Sequence, residues 1–529
     1  MQATVFRGGF TLTSAEEVLS LSGGAMVLDV IQALRDRSML RVSGTGGKLR
    51  FSLFESIREY ASSKASSLQQ LEGADRRHEL HFLAASEHWS SRVHTHDGVR
   101  ARKELARELD NYIAAHERAL ARRPLSPRDV EVGLRIALAS FPLLIERGPV
   151  ALLWRLLGES LEAAGTLQVS RRWLGMALTA YGEVLARTGQ PADGLKMAEE
   201  ALRLGRRGGI DVLQAHALVV VALCRWLTDE HDGAMAAGIE ARRIGQRHQD
   251  LFVETRCLNL IGCVHFARGE RSTSAQTLRA CITAARQIGH LQIEAMAHSN
   301  VGCIHADSGA LDEAEGCFRS ALEACEKQRN RRGVGVNRCE LAIVAQERGD
   351  FAAASRHFRK AMVALTDVGD RQRLAYARFY RGCFELERGE HRHAASLLRT
   401  AGAFFEAAGN ERLWAQSMAL LGYLHATAGS SGEADELIAK AEKVAAEQVD
   451  PPLTVLVEAM SGAAVAVRAI RDKTSLTTDS LEAARAAIAK ARAPWLPDER
   501  HPNGRAPPIE WSKETRFAVR IVERLLPAT

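Results

Sequence analysis

Residues 301–325 read VGCIHADSGALDEAEGCFRSALEAC, and this stretch decides the fold. Apolar residues at helical spacing flank Ser308-Gly309, which predicts a helix ending near Asp307, a turn, and a second helix starting near Leu311. Gly302, Ala314 and Ala321 let the two helices approach closely, while Val301, Phe318 and Leu322 fill the space between neighbours. Moving outward in steps of forty residues, the pattern returns. Gly182, Ala222, Gly262, Ala342, Gly382 and Gly422 share the slot of Gly302. Gly189, Asp229, Gly269, Gly349, Gly389 and Gly429 share that of Gly309. Gly194, Ala234, Ser274, Ala354, Ala394 and Ala434 repeat Ala314, and Ala201, Ala241, Cys281, Ala361, Ala401 and Ala441 repeat Ala321. Seven regular units therefore span about 175–449, and Gly209, Gly289, Gly369 and Gly409 mark the ends of second helices.

The words Val301-Gly302…His305…Ala314…Phe318…Ala321 and Leu341-Ala342…Ala345…Ala354…Phe358…Ala361 resemble the tetratricopeptide repeat (TPR). The period exceeds the usual ~34 residues by about six. The surplus is expected in longer second helices and in inter-unit loops, as in long-period TPRs of bacterial regulatory proteins. The fold expected is all-α, a TPR-like right-handed superhelical solenoid, with repeats and degenerate caps over 126–492. Upstream, Ile136–Glu146 and Val150–Ala164 read as a capping hairpin. Downstream, Leu453–Arg471 and Leu481–Arg492 read as another. Residues 493–529 read as a Pro-rich linker and a last helix from Lys513 to Leu526, capped by Ser512, with Phe517, Ile521 and Leu525 on one face.

Composition agrees with a helical globular chain. Of 529 residues, 46% are hydrophobic, 25% charged and 5% aromatic, and the net charge is +6. This balance excludes a nucleic-acid arm of clustered cations. The longest apolar run, Ala217–Cys224, is far short of the ~18 residues of a membrane span. No signal-peptide core opens the chain, and the nine cysteines form no C-x-x-C. A cytoplasmic, reduced protein with no membrane contact is expected.

Residues 1–125 fall outside the period. Ser14–Ser20 and Val27–Asp36 predict helices, and Met39–Ser43 and Lys48–Leu53 predict strands around Gly44–Gly47. That order predicts a partial winged-helix module over 1–72, small and α+β. Helices Arg76–Trp89 and Ala101–Leu120 make a connector over 73–125. The words FRGGF at 6–10, then SAEEVL, RFSLFESIREYA and ELDNYIAAHERAL, resemble the region after the nucleotide-binding core of STAND-type (NB-ARC/AAA-like) regulatory ATPases and bacterial transcriptional regulators. There a winged helix links an ATPase to TPR sensor repeats. This chain carries the resemblance without the nucleotide-binding core, so it is expected to be either part of a longer regulator or a binding scaffold.

Motifs for chemistry are weak. Gly44–Lys48 reads GTGGK but lacks the first glycine and the Ser/Thr of a phosphate loop, and a strand follows it. His78-Glu79-Leu80-His81 lacks the spacing of a zinc protease motif, so a core or solvated helix face is preferred. His94-Thr95-His96 and His391-Arg392-His393 put imidazoles on different helix faces, a poor metal clamp. Cys263, Cys303 and Cys383 share one repeat column, which points to packing rather than one activated thiol. No catalytic residue, cofactor site or metal site is expected.

The TPR resemblance implies that first helices line a concave groove. By phase, Trp226, Asn259, Phe266, Ser299 and Ile343 should lie there, with Gln346, Phe379, Leu386 and Tyr423, beside Cys263, Cys303, Cys339 and Cys383. This surface reads as mostly apolar and suited to an amphipathic helix or extended peptide. The expected function is a non-enzymatic protein-interaction or sensor module of a signalling or transcriptional regulator. It would bind a protein or peptide ligand and signal to an ATPase partner, in the same chain or separate. The alternative is DNA binding, with Val27–Arg37 as recognition helix, Gly44–Lys48 as wing, and charge from Arg35, Arg37, Arg41, Lys48 and Arg50. Against it, Asp29 and Asp36 interrupt the cations, and Met26, Val27, Val30, Ile31 and Leu34 read as packed.

Overall fold

The computed structural model describes residues 1–21, 25–45, 48–65, 70–165, 167–448, 450–471 and 513–523. They form two compact units: Met1–Arg187 with Pro191–Leu260 and Ala284–Leu291, and Thr188–Gln190 with Ile261–Thr283 and Gln292–Thr529. The expected helix Leu481–Arg492, the Pro-rich linker, the Ser512 cap, Gly46-Gly47, and residues 524–526 of the last helix lie outside the described residues.

The first unit opens with a 3-10 turn, Gln2–Val5, then α1 (Leu12–Val18) and α2 (Val27–Asp36). Strands β1 (Leu40–Thr45) and β2 (Lys48–Leu53) pair antiparallel, with Leu40 opposite Leu53 and Val42 opposite Phe51. Helices α3 (Glu55–Ala65), α4 (Gln70–Ser90) and α5 (Gly98–Ala121) follow. Phe6, Phe10, Phe51, Phe82 and Tyr112 form the local core. The glycines of FRGGF take positive φ, +70° at Gly8 and +90° at Gly9, a region that disfavours a Cβ. Their carbonyls are satisfied from elsewhere: Arg50 donates to both, and the Asn111 amide donates to Gly9. Arg50 also pairs with Glu108.

The packing expected of α2 is found at Ile31, which is in the local core, and at Val27 and Leu34, which pack against it; at Met26 it is corrected. Only Ile31 is buried; Val27, Val30 and Leu34 are half-buried and Met26 is 65% exposed. Met26 precedes the helix as its N-cap residue with extended backbone, so its side chain is outside the helical face that packs. Beyond the connector, a Ser126–Asp129 capping box starts α6 (Pro127–Arg147), and α7 (Val150–Ala164) completes a hairpin.

The repeats are TPR-like helical hairpins. The first helices are α8 (Arg171–Arg187), α10 (Asp211–Leu227), α12 (Leu251–Ala267), α14 (Leu291–Asp307), α16 (Arg331–Glu347), α18 (Arg371–Glu387) and α20 (Glu411–Ala428). The second helices are α9 (Pro191–Gly208), α11 (His231–Arg247), α13 (Arg271–Ile288), α15 (Leu311–Lys327), α17 (Phe351–Asp367), α19 (His391–Ala407) and α21 (Ser431–Glu447). Helices α14, α15, α16 and α17 are each 17 residues long. The extra length over a usual TPR is therefore shared by both helices rather than held in the second helix and the loops, a correction to the expectation.

The small-residue columns act as the sequence predicts. A Cβ on Gly302 would meet the Phe318 ring at 2.7 Å, and one on Gly422 would meet Ile438 at 2.6 Å. Phe318, against Gly302, and Phe358, its counterpart in the next repeat, are fully buried, each contributing about 1.5–3 kcal/mol. Turns take positive φ at Gly309 (75°), but also at Asp229 (59°), Gln249 (54°) and Arg329 (54°). The left-handed slot is thus set by the hairpin geometry, whichever side chain stands in it.

The second unit continues through α22 (Pro451–Arg471) and a C-terminal helix, α23 (Lys513–Glu523). Among the described residues, no helix is long and apolar enough to cross a membrane.

Candidate functional site

In the second unit, the face presented by the first helices is covered by the C-terminal helix of the same chain. Helix α23 lies over α14, α16, α18 and α22. Its apolar side chains Phe517, Ala518, Val519, Ile521 and Val522 are buried, in one core with Ile343, Phe379, Tyr380, Leu386 and Leu456. Ile343, Gln346, Phe379, Cys383, Leu456 and Phe517 line a small recess where the helix meets the repeats.

Three cations on α23 fix its register. The Arg516 guanidinium donates to both carboxylate oxygens of Glu347, the shorter bond being 2.7 Å, and to the backbone carbonyls of Ala306 (2.6 Å) and Asp307 (3.1 Å). Arg520 donates to Glu387 at 2.9 Å. The same carboxylate accepts from Gln346 at 2.7 Å. Lys513 donates to the Tyr376 hydroxyl at 3.0 Å, lies 3.5 Å from Glu340, and sits 4.8 Å from the Tyr380 ring centre.

These anions have a structural logic. Asp307, Glu347 and Glu387 occupy one repeat slot, and each is the last residue of its first helix. Helix C-termini carry unsatisfied carbonyls and the negative end of the helix dipole. An acidic side chain at that end adds to the dipole rather than opposing it, and makes a negative edge along the face. Burial raises the Glu347 carboxyl above its ordinary value, and Arg516 partly offsets the rise.

The nine residues expected in the groove are distributed as follows. Ile343, Gln346 and Phe379 lie beneath α23 in the recess. Leu386 and Tyr423 belong to the same buried core, and Asn259 and Ser299 are buried. Trp226 and Phe266 are half-buried. Sequence reasoning missed the charged part: Glu340, Glu347, Glu387, Tyr376, and the cations of α23. The signal was present as the acidic column 307–347–387 and the basic spacing 513–516–520. The surface is therefore apolar with an acidic edge, rather than simply apolar.

The first unit has a different arrangement. His94-Thr95-His96 falls in the turn between α4 and α5, not on a helix, which corrects the expectation. His94 stacks on His290 at 4.4 Å and lies 4.8 Å from Phe252; Phe252 in turn stacks on His290 at 5.3 Å. His216 approaches Phe252 at 5.9 Å. Burial drives the imidazoles toward the neutral form: His94 lies well below its ordinary value, His290 is lowered to about 3 and His216 to about 4. Arg256 and Arg102 face the cluster and lower them further, while Asp250 and Glu183 oppose the fall at His216. Nearby, Arg256 and Arg187 both pair with Glu183, overcoming its burial and holding its carboxyl at about 2.

The remaining motifs are structural. His78 and Glu79 are fully buried; Glu79 pairs with Arg122, and His78 faces Asn111. Burial pushes the Cys263 thiol up to about 12 and raises Cys303 well above the ordinary range, which makes both poor nucleophiles. Among the described residues, no group of three or more His, Cys, Asp or Glu could hold a metal ion. Of the cations at the N-terminal hairpin, Arg50 is tied to Glu108, Arg35 pairs with Asp36, and Arg41 lies over the Phe54 ring.

Comparison with known proteins agrees with the repeat architecture. A tetratricopeptide repeat family model matches residues 293–367. Among solved structures, the chain is similar to a Rap protein complexed with competence and sporulation factor, at 14% identity and a TM-score of 0.51, covering 70% of this chain and 100% of that one. It is also similar to NprR in complex with its cognate peptide NprX, at 12% identity and a TM-score of 0.43, covering 77% and 96%. A further match is a STAND signal transduction ATPase with a tetratricopeptide repeat sensor from Pyrococcus horikoshii, at 12% identity and a TM-score of 0.43, covering 83% and 61%. No curated protein matches the chain.

Proposed function

We propose that this chain is a non-catalytic interaction module of a signalling or transcriptional regulator, and that the first-helix face of its second unit receives a peptide or protein segment. The observation that carries the reading is a helix already seated there, with five apolar side chains buried and three cations engaged. A fold shared with a Rap protein solved with competence and sporulation factor supports it. The order α1–α2–β1–β2 supports a winged-helix module over 1–72, joined by the connector 73–125 to the repeats. In such regulators that module relays a sensor's state to an ATPase, here in another segment or another chain. DNA binding through α2 and the hairpin has less support, because Asp36 pairs with Arg35 on the helix and Arg50 of β2 is held by Glu108.

Selection of a displayed peptide library on the full chain tests this reading. The counter-screen is the Glu347→Arg/Glu387→Arg variant, checked by its melting temperature. Sequences that bind the parent and not the variant support it. A selection that enriches nothing even on the Arg516→Glu/Arg520→Glu chain, whose own helix no longer holds the face, or that yields only sequences indifferent to the Glu347→Arg/Glu387→Arg reversals, contradicts it.

A further inference from the structure

We propose that the groove of the second unit selects a basic amphipathic helix, and that α23 is its intramolecular occupant, which a partner helix of the same pattern must displace. This rests on the groove reading above and names its ligand class.

The specification can be read from α23. Cations stand at Lys513, Arg516 and Arg520, the first position and those three and seven residues on. Apolar residues stand at Phe517, Ala518, Val519, Ile521 and Val522. On a helix the three cations stand together on one side and the apolar residues on the other. The receiving surface is its complement. Apolar Ile343, Phe379 and Leu456 meet the apolar side, and Glu347 and Glu387 meet the cationic side. Arg516 also caps the final carbonyls of α14, a role that a lysine cannot fill together with two bonds to Glu347. The acidic column is confined to these repeats: the same slot holds Arg187, Leu227 and Ala267 earlier, and Thr427 later. The groove therefore sets both the sign and the position of its ligand.

A sealing helix alone would not need this chemistry. Terminal caps of repeat arrays bury an apolar face and turn a polar one to water. Here Glu347 and Glu387 are 6% and 3% exposed at their side chains. Buried ion pairs contribute little net stability, because desolvation offsets the attraction, but they penalise any occupant lacking the matching charge. That is the behaviour of a recognition surface. A tethered occupant competes at an effective concentration on the order of millimolar, so a free helix of equal intrinsic affinity is excluded at micromolar levels.

The probe is a fluorescent peptide of residues 511–525, titrated by anisotropy into the full chain and into full chains carrying Arg516→Glu/Arg520→Glu. Hydrogen exchange at α16 and α18 serves as the folding control. The charge-reversed chain is expected to bind the peptide at least tenfold more tightly than the parent, because its own helix has left. Adding Glu347→Arg/Glu387→Arg should remove that binding and restore exchange protection to residues 513–523 through the swapped pairs. Equal affinity in the parent and the Arg516→Glu/Arg520→Glu chain, or free exchange of 513–523 in the parent, would overturn the proposal. Peptides of another pattern selected in the library experiment would then still stand, so the two readings fail separately.

Discussion

The first helices of the two units are covered in opposite ways. In the first unit, a turn inserts His94 among His290, Phe252 and His216, and the contact depends on imidazoles staying neutral. In the second unit, α23 brings cations to carboxylates, and the contact depends on charge. The hairpins beneath are built alike. The difference lies in a few letters per repeat, such as Arg187 against Glu347 in the same slot. A repeat array can thus keep its packing columns fixed while changing what each stretch of its face accepts.

The largest effect expected from breaking this comparison is at α23. Removing one partner of a buried ion pair costs about 3–5 kcal/mol, because the other charge remains buried. Arg516→Ala should therefore open α23 by that order and leave the histidine cluster unchanged, as read by residue-level hydrogen exchange. The next effect sharpens what the units share. Gly182→Ala and Gly302→Ala should each destabilise their own hairpin by about 1–3 kcal/mol through overpacking, measured by denaturant unfolding. In one case the new methyl would meet the Gly194 carbonyl at 2.7 Å, and in the other the Phe318 ring at the same distance.

A smaller effect separates the units by pH. The folded values of His94, His290 and His216 lie below the unfolded value near 6.5. The unfolded chain therefore binds more protons between pH 6.5 and about 3–4, and stability falls as pH drops through that window. Each imidazole contributes a slope of about 1.4 kcal/mol per pH unit. His94→Phe should remove one such share from the first unit's melting profile between pH 6.5 and 5, with no change at pH 8. Smallest is Gly309→Ala, where no atom lies within 4 Å of the new methyl and only the φ of +75° is strained. It should cost about 1 kcal/mol, and less than Gly302→Ala.

Much of this was legible in the sequence, and the limits have physical reasons. Small residues recurring every forty positions can only mean close helix contacts, so the hairpins could be read directly. Gln249 and Arg329 hide the same backbone turn that glycines announce elsewhere, because neighbouring hairpin contacts impose it. The groove residues were found by helical phase, which gives direction but not cover. What covers Ile343, Gln346 and Phe379 is a helix far along the chain, and no local pattern reports a long-range contact. The acids were overlooked because charge at a helix end usually faces water; here Arg516 and Arg520 withdraw it. His94 was read on a helix, whereas the chain turns between α4 and α5 and buries it.

Hydrogen–deuterium exchange of the unmodified full chain, followed at the amides of residues 513–523, tests the central claim most directly. Slow exchange that rises at least tenfold in the Arg516→Glu/Arg520→Glu chain, while α16 and α18 keep theirs, is the result predicted. Amides of 513–523 that exchange at the rate of an unstructured peptide in the unmodified chain would contradict it.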